Sequence, residues 1–273
     1  MPELPEVETV KNGLLKRIKG KKILDCHILY NGIIAYPNKE EFIEKIKNQV
    51  INDLHRKGKF IIFELDDYLL ISHLRMEGKY FIKNNQDEIL KHDHVIFKLD
   101  NNQELRYNDT RKFGKMHLVK KDELDLTPIS KLGLEPWDDN LNVEYLKKKL
   151  NKKKAIKTLL LDQSIITGIG NIYADEILFL SRINPEVYGI DLTDDNLSDI
   201  IKNTRNILEK AISLGGTTIH TYTAVDGITG RFQQELLVHG KKDSNCPNCQ
   251  NKIIKIVVNT RGTYYCPNCQ KKR

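Results

Sequence analysis

The chain has 273 residues, enough for two domains or one large domain, and its 40% of apolar residues can form a core at this length. Apolar runs such as residues 61–63 are far shorter than the roughly 20 residues of a membrane helix, and the acidic start predicts no secretory leader, so we expect a cytoplasmic protein. The net charge of +7 comes from residues 241–273, which contain eight basic residues and one acidic residue. This excess predicts an anionic partner or a solvated basic tail.

The first predicted element is a helix over residues 4–19. Pro5 is favourable in the first turn, and Glu6 interacts favourably with the positive end of the helix dipole. Gly20 is a residue that commonly ends a helix. One apolar stripe at helical spacing would face the core: Val7, Val10, Leu14 and Ile18.

Eight short β-rich runs with turn residues between them follow this helix. They lie at residues 22–30, 50–55, 59–65, 68–73, 79–83, 94–99, 104–108 and 115–119, with a small helix at 42–46. Many short strands separated by turns predict a sandwich or a barrel. Cys26 falls in the first run and is expected to be a core residue.

The pattern becomes helical after a linker that is rich in proline, glycine and acidic residues. Helices are predicted over 143–150, 155–161 and 172–180, and a longer one is capped by Thr193 and runs to 214. The predicted organisation is a β domain at 1–126, a linker at 127–142, a helical domain at 143–238 and a C-terminal finger at 239–273.

Four of the five cysteines form two Cys-Pro-Asn-Cys pairs separated by sixteen residues, a spacing typical of a structural zinc site. The ligands would be Cys246, Cys249, Cys266 and Cys269. Residues 252–258 are β-rich and residues 259–262 read as a hairpin turn. A tail this small needs metal to fold, and four thiolates leave no open position for catalysis. Disulfides are the alternative, without a secretory leader to favour them.

The start of the chain carries a possible nucleophile. Once Met1 is trimmed, Pro2 would have a free secondary amine that titrates near pH 8 and can attack a sugar C1′ to form an iminium. Glu3 and Glu6 could move protons or stabilise positive charge. Taken alone this is weak, because many chains begin Met-Pro and acids often stabilise a first helical turn.

Two predicted loops contain basic residues next to large apolar residues. Residues 73–78 include Met76, and residues 108–114 include Arg111 and Phe113. Such side chains can fill a gap in stacked bases, although the two residues by themselves favour the simpler interpretation that Met76 and Phe113 are core residues. The glycine turn at 168–170 could offer N–H groups to a phosphate or could be a simple turn.

These pieces occur together and in this order in one family, and the chain resembles the bacterial formamidopyrimidine-DNA glycosylases from end to end. That family removes oxidised purines such as 8-oxoguanine. The resemblance rests on the zinc hairpin and on six segments: MPELPEVET (1–9), RKGKF (56–60), HLRMEG (73–78), KHDH (91–94), DTRKFG (109–114) and GIGNIYADE (168–176).

The resemblance implies an α+β fold: an N-terminal two-layer β-sandwich with an N-terminal helix, a helix–two-turn–helix module and a zinc-finger β-hairpin. It implies one structural Zn²⁺ per chain and damaged double-stranded DNA as the partner. We expect a monomer associated with the nucleoid of a bacterium, acting in base-excision repair.

The resemblance also implies roles for single residues. Pro2 would be the Schiff-base nucleophile, Glu3 the proton donor to the opening sugar, and Glu6 a support. Lys59 and Arg261 would donate protons in β- and δ-elimination. The remaining implied residues fall into three groups: Met76, Arg111 and Phe113 fill the gap left by the flipped base; His92, Lys152, Lys157, Asn171 and Arg261 hold phosphates; Glu77, Thr217 and Tyr222 lie at the lesion pocket.

Two positions depart from the family pattern, because Thr110 stands where Pro or Val is expected and Lys112 where Arg is expected. Lys112 keeps the charge but loses the fork of the guanidinium. The sister family, endonuclease VIII, shares Pro2 and Glu3 but typically has Gly in place of Leu4 and prefers oxidised pyrimidines. A zinc-ribbon DNA binder without enzymatic activity is the alternative of a different class.

Overall fold

The computed structural model describes residues 1–217 and 230–272. They divide into two compact units. The first contains Met1–Ser130 together with Thr217 and Gly230, and the second contains Lys131–Gly216 and the residues from Arg231 onward. The boundary after Ser130 lies inside the segment predicted as a linker. Among the described helices, none combines the length and the apolar character needed to cross a membrane.

The first unit begins with helix α1, Leu4–Ile18, within one residue of its predicted end. The predicted apolar stripe of this helix is buried, and Gly20 follows in the left-handed region at φ +77°. Glu3 and Glu6 form a reciprocal capping box at its start, which satisfies two backbone donors that a helix end otherwise leaves open.

Nine strands, one further α-helix and short 3-10 helices make up the regular structure in the rest of this unit as the structure describes it. The strands are β1 Ile23–Ile28, β2 Ile34–Tyr36, β3 Asp53–Lys57, β4 Phe60–Glu64, β5 Tyr68–His73, β6 Lys79–Asn84, β7 Asp93–Leu99, β8 Gln103–Asn108 and β9 Lys115–Lys120. Helix α2, Lys39–Ile46, begins three residues before the predicted small helix.

These strands form two sheets that pack as the expected β-sandwich. One sheet has the order β1-β7-β8-β6 and the other has the order β2-β9-β5-β4-β3. Apolar side chains from both sheets and from α1 share one buried core. Cys26 belongs to this core, as predicted, and burial raises the pKa of its thiol to about 12.

The second unit contains four described α-helices. They are α3 Val143–Leu150, α4 Ile156–Leu160, α5 Asn171–Leu180 and α6 Asp194–Ser213, all within two residues of the predicted bounds. Thr193 caps α6 through its hydroxyl, which accepts from the Asn196 N–H at 3.2 Å. Gly168, at φ +95°, provides the left-handed turn before α5.

The second unit also contains a two-stranded hairpin of β10, Ile254–Val258, and β11, Arg261–Tyr265. Its turn is tighter than the predicted residues 259–262. Val258 pairs with Arg261, so the loop is only Asn259 and Thr260, both at positive φ. Positive φ at both central residues is the mark of a type I′ turn, which matches the twist of the strands.

Candidate functional site

The first candidate site surrounds the start of the chain. Pro2, Glu3 and Glu6 are all buried. The Glu6 carboxylate accepts from the Glu3 N–H at 2.9 Å, and its other oxygen accepts from the N–H and hydroxyl of Thr217 at 2.8 and 3.0 Å. Glu6 therefore fixes both the backbone beside Pro2 and one residue of the predicted lesion pocket.

The terminal amine lies within electrostatic range of four predicted site residues. Burial lowers the pKa of this amine, carried here by Met1, below its ordinary value near 8. Glu3, Glu6 and Glu77 oppose that shift, and Lys59 reinforces it. The start of the chain therefore lies within the electrostatic influence of three carboxylates and the Lys59 side chain.

Lys59 follows a left-handed glycine, Gly58 at φ +55°, and is only 5% exposed at the start of β4. Its neighbour Phe60 pairs in register with His73, and the two rings contact edge to face at 4.5 Å. Burial, aided by the charges of Arg75 and Lys59, lowers the pKa of His73 to about 3. His73 is therefore a neutral imidazole beside the Lys59 ammonium, a feature that sequence reasoning missed.

The predicted gap-filling residues lie on two loops that leave paired strand ends. Residues 74–78 precede β6 and residues 109–114 follow β8, and Lys79 pairs with Asn108 between them. Met76 is 37% and Phe113 50% exposed, so both side chains are available to enter a duplex. The exposed Arg111 guanidinium lies 4.8 Å from the Phe113 ring centroid, an arrangement that orients the cation.

Tyr107 and Asp109 support these loops, and neither was identified from the sequence. The fully buried Asp109 carboxylate accepts from the Arg111 N–H at 3.0 Å and from the Gly114 N–H at 2.8 Å. The Tyr107 hydroxyl lies so close to Gly78 and Gly114 that a Cβ there would meet it at 2.2 and 1.6 Å. One tyrosine thus sets the closest approach of both loops.

His92 and Glu77 lie at the same end of the sheet. The His92 carbonyl accepts from the Asp109 N–H at 3.0 Å, and the buried Nδ1 of its ring has no partner among the described residues. The Thr110 hydroxyl donates to Glu77. The departure from the family pattern at Thr110 therefore connects the loop of residues 109–114 to a predicted pocket residue.

Thr217 and Tyr222 were predicted together at the lesion pocket. Thr217 is buried and bonds to Glu6, so the structure places it beside the start of α1. Tyr222 lies outside the described residues.

The other residues predicted to contact phosphate lie in the second unit. Lys152 and Arg261 are exposed. Asn171, the first residue of α5, donates from Nδ2 to the Gly262 carbonyl at 2.9 Å, one residue beyond Arg261. The buried Asn171 Oδ1 has no partner among the described residues.

The prediction that Lys157 contacts phosphate directly is wrong for this structure. Its side chain is fully buried, and its ammonium lies 2.5 Å from the Asp175 carboxylate and 2.9 Å from the Asn171 carbonyl. The charge is neutralised inside the unit, so Lys157 organises the start of α5 instead. The sequence position alone could not show this, because the ion pair joins residues 18 apart.

The four predicted zinc ligands converge. Their sulfur atoms all lie within 4.8 Å of one another, and Cys246–Cys269 and Cys249–Cys266 are 3.8 and 3.5 Å apart. Tetrahedral zinc with Zn–S bonds of about 2.3 Å requires S–S separations of about 3.8 Å, whereas a disulfide requires about 2.05 Å. The residues therefore fit one structural zinc and do not form disulfides.

Three family models match successive parts of the chain. They are the formamidopyrimidine-DNA glycosylase N-terminal domain over residues 1–116, the H2TH domain of the same enzymes over 132–223, and a zinc finger found in FPG and IleRS over 244–272.

Whole-chain comparisons agree with these matches. The chain is 45% identical to a formamidopyrimidine-DNA glycosylase of Bacillus subtilis over the full length of both proteins. It is 41% identical to a Lactococcus lactis FPG variant solved with Fapy-dG-containing DNA, and to Lactococcus lactis Fpg solved with abasic-site-containing DNA. Each of these structures gives a TM-score of 0.93, with 99% of this chain and 100% of the other covered.

Proposed function

Because the chain belongs to the formamidopyrimidine-DNA glycosylase family, we propose that it excises oxidised purines, such as 8-oxoguanine and formamidopyrimidines, from double-stranded DNA and then cleaves the abasic strand. The observation that carries this proposal is the geometry at the start of the chain, where the buried Pro2 is followed by Glu3, whose carboxylate caps α1, and Glu6 accepts from the Glu3 N–H at 2.9 Å. Once Met1 is removed, an amine of Pro2 beside these carboxylates suits a nucleophile that forms an iminium.

The first chemical step joins the Pro2 nitrogen to C1′ of the damaged nucleotide. The C1′–N bond to the base breaks, and the base leaves with the bonding electron pair and takes up a proton. Glu3 donates a proton to the ring oxygen of the sugar, so that the ring opens and the C1′–N bond to Pro2 becomes an iminium. The capping box holds the Glu3 carboxylate at the helix start, beside the attacking nitrogen.

Strand cleavage follows from the acidity of the carbon next to the iminium. Loss of a C2′ proton expels the 3′ phosphate by β-elimination, and Lys59 is the proposed proton donor. A further loss of a proton expels the 5′ phosphate by δ-elimination, with Arg261 as the proposed donor. No external oxidant or metal takes part in either elimination, and the four thiolates of the zinc site serve the fold.

Access to a base inside a duplex requires that the nucleotide first be flipped out of the stack. The exposed Met76 and Phe113 side chains are suited to fill the resulting gap, and Arg111 to face the orphaned base. Asp109 and Tyr107 hold these loops at a fixed distance, so the gap-filling residues need little reorganisation on binding.

Apart from Arg261, which serves both purposes, the groups that bind the DNA backbone are separate from the reacting ones. We propose that His92, Lys152, Asn171 and Arg261 hold phosphates, while Lys157 acts only through Asn171. Contacts to phosphate position a duplex without reading its sequence, which suits an enzyme that must find damage in any context. We expect it to act as a monomer on nucleoid DNA.

Cleavage of three matched duplexes tests this proposal. The duplexes carry 8-oxoguanine opposite cytosine, an oxidised pyrimidine opposite its partner, or a preformed abasic site. We expect fast excision of the oxidised purine and nicking at the abasic site with both elimination products. Preference for the pyrimidine would support an endonuclease VIII activity instead, and no nicking of any duplex would support a DNA binder without catalysis.

A further inference from the structure

A chain of buried polar contacts runs through the second unit, and the proposed chemistry leaves its central residue unexplained. The side chain of Asp175, on α5, is fully buried. One carboxylate oxygen lies 2.5 Å from the Lys157 ammonium, and the other lies 2.6 Å from Nδ1 of His239. A single carboxylate therefore fixes two side chains that come from distant parts of the sequence.

Each of these partners in turn contacts a residue that touches or belongs to β11. The Lys157 ammonium donates to the Asn171 carbonyl at 2.9 Å, and Asn171 Nδ2 donates to the Gly262 carbonyl at 2.9 Å. The His239 ring packs edge to face against Tyr264 at 5.1 Å. The two routes from Asp175 thus reach β11 on either side of Thr263, close to Arg261, the first residue of the strand.

The neighbouring Glu176 strengthens the His239 route. Its buried carboxylate accepts from the backbone N–H groups of Leu237, Val238 and His239 at 2.8–2.9 Å. The backbone that carries the imidazole is therefore held independently of the Asp175 contact. Loss of the Asp175 charge would release the two side chains without unfolding the segment that bears His239.

Stability is a weak reason for such an arrangement, because desolvation of a buried ion pair offsets much of its attraction. Geometry is a better reason, since charged hydrogen bonds are short and directional. The hairpin itself consists of only two strands, which are marginal alone. The zinc site holds the base of this hairpin, and the contacts from α5 and His239 lie nearer to its Arg261 end.

We propose that Asp175 is a positioning residue for Arg261, acting through Lys157–Asn171 on one side and His239–Tyr264 on the other. This inference rests on the proposed function only where it assigns Arg261 to δ-elimination. Asp175 itself touches neither DNA nor sugar; it sets where the hairpin presents the guanidinium.

Asp175→Asn in the zinc-loaded full-length protein tests the proposal, because the amide keeps the volume and removes the charge. Asp194→Asn is the matched control, since it removes the exposed Lys147–Asp194 ion pair of the same unit. The first readout needs no DNA: hydrogen exchange of the amides of residues 259–263. We expect at least about tenfold faster exchange in Asp175→Asn, unchanged exchange in the control, and one zinc per chain in both.

The second readout is the ratio of δ- to β-elimination products on a preformed abasic site. With enzyme in saturating excess over DNA, so that a weaker Asn171–phosphate contact does not limit the rate, we expect this ratio to fall by about tenfold or more in Asp175→Asn, as misplacement of a reacting group slows its step, while the β-elimination rate stays within about twofold. Wild-type exchange and a wild-type product ratio in Asp175→Asn would overturn the proposal. An equal loss of both eliminations, with reduced thermal stability, would show a merely structural role and would also overturn it.

The two readouts separate this inference from the proposed function. If the wild-type protein does not cleave abasic DNA, the proposed function fails, and the exchange experiment still decides whether Asp175 positions the hairpin. If the wild-type protein forms both products and Asp175→Asn forms them in the wild-type ratio, only the positioning role fails.

Discussion

Glu3 and Glu6 show that one pair of carboxylates can serve a helix and a reaction at once. Their capping box accounts for both residues at the start of α1 without any chemistry. Burial and the Thr217 contacts of Glu6 go beyond what a cap requires, because caps are usually solvent-exposed. The sequence supplied the residue types, and the structure adds that Glu6 reaches a residue 211 positions away.

His73 allows a prediction about pH. Its pKa is lowered from 6.5 to about 3 in the fold, so between these values the unfolded chain binds a proton that the folded chain does not. Stability contributed by the neutral imidazole is therefore present above pH 6.5 and is lost as the pH falls toward 3. From pH 7 to pH 5 this loss amounts to about 2 kcal/mol.

Urea unfolding of the wild type and of His73→Gln at pH 8, 7 and 5 measures this contribution. The free energy of unfolding of the variant should fall by about 1–2 kcal/mol less than that of the wild type between pH 7 and 5. Between pH 8 and 7, where the imidazole is neutral in both states, the two proteins should change equally. Parallel curves down to pH 5 would show that His73 is not held neutral by the fold.

At the scale of elements, the loops of residues 74–78 and 109–114 depend on their approach to Tyr107. A Cβ at Gly114 would lie 1.6 Å from the Tyr107 hydroxyl. Gly114→Ala should therefore destabilise the protein by about 1–3 kcal/mol, the usual range for an overpacked core, and reduce excision of 8-oxoguanine. Thermal unfolding and excision rates measure the two effects.

A second substitution identifies the cause of this effect. Tyr107→Phe removes the clashing hydroxyl but keeps the ring carbon Cζ, which a Cβ at Gly114 would still meet at 2.6 Å, so it should recover only part of the stability lost in Gly114→Ala. At Gly78 a Cβ would still meet the Leu74 carbonyl at 2.6 Å, so rescue of Gly78→Ala should also be partial. Rescue of neither variant would mean that the Tyr107 hydroxyl does not set the approach of the loops.

The zinc hairpin gives a second prediction at this scale. Cys249→Ser should lower the zinc content from about one per chain to a small fraction, because a four-thiolate site loses a ligand. DNA binding should fall by at least about 100-fold, while near-UV circular dichroism of the β-sandwich persists. Cys26→Ala is the matched control, since this cysteine is a core residue far from the metal in sequence and should leave the zinc content unchanged. Full DNA affinity in a zinc-free variant would refute the structural role of the metal.

Helices and strands with a clear hydrophobic periodicity, or with clear capping and turn residues at their ends, were predictable from the sequence. The stripe of α1, the Thr193 cap of α6 and eight of the nine strands of the first unit agree closely with the structure. Strand β2 was missed because a strand of three residues is too short to show an alternation of apolar and polar side chains. It is defined only by its parallel pairing with β9. The hairpin turn was predicted two residues too long because Arg261 and Gly262 look like turn residues but are paired in β11.

The candidate site residues also differ in how clearly the sequence marks them. Glu6, Lys59 and Arg111 could be proposed from motifs in the sequence, whereas Tyr107, Asp109 and Asp175 draw attention only through contacts that the folded chain creates. Lys157 shows the reverse error, because a lysine near a basic run looks exposed until its buried partner Asp175 is known.

At the scale of the whole molecule, the excess charge lies apart in sequence from the proposed nucleophile, and Arg261 is the proposed reacting group that lies in the charged tail. Residues 1–240 carry equal numbers of acidic and basic residues, and the whole excess lies in the 33 residues that contain the zinc hairpin. The first unit contains the terminal amine with its carboxylates, and the second contains the hairpin. Such a division predicts that DNA affinity and covalent chemistry can be lost separately by substitution.

Borohydride trapping on a duplex with an abasic site tests the central claim most directly, because borohydride reduces an iminium to a stable amine. We expect an enzyme–DNA adduct on a denaturing gel, mapped by mass spectrometry to Pro2. One extra residue ahead of Pro2 should abolish this adduct, since the nitrogen becomes an amide, while DNA binding persists. An adduct of the unmodified enzyme that maps to Lys59 or another lysine would contradict Pro2 as the nucleophile.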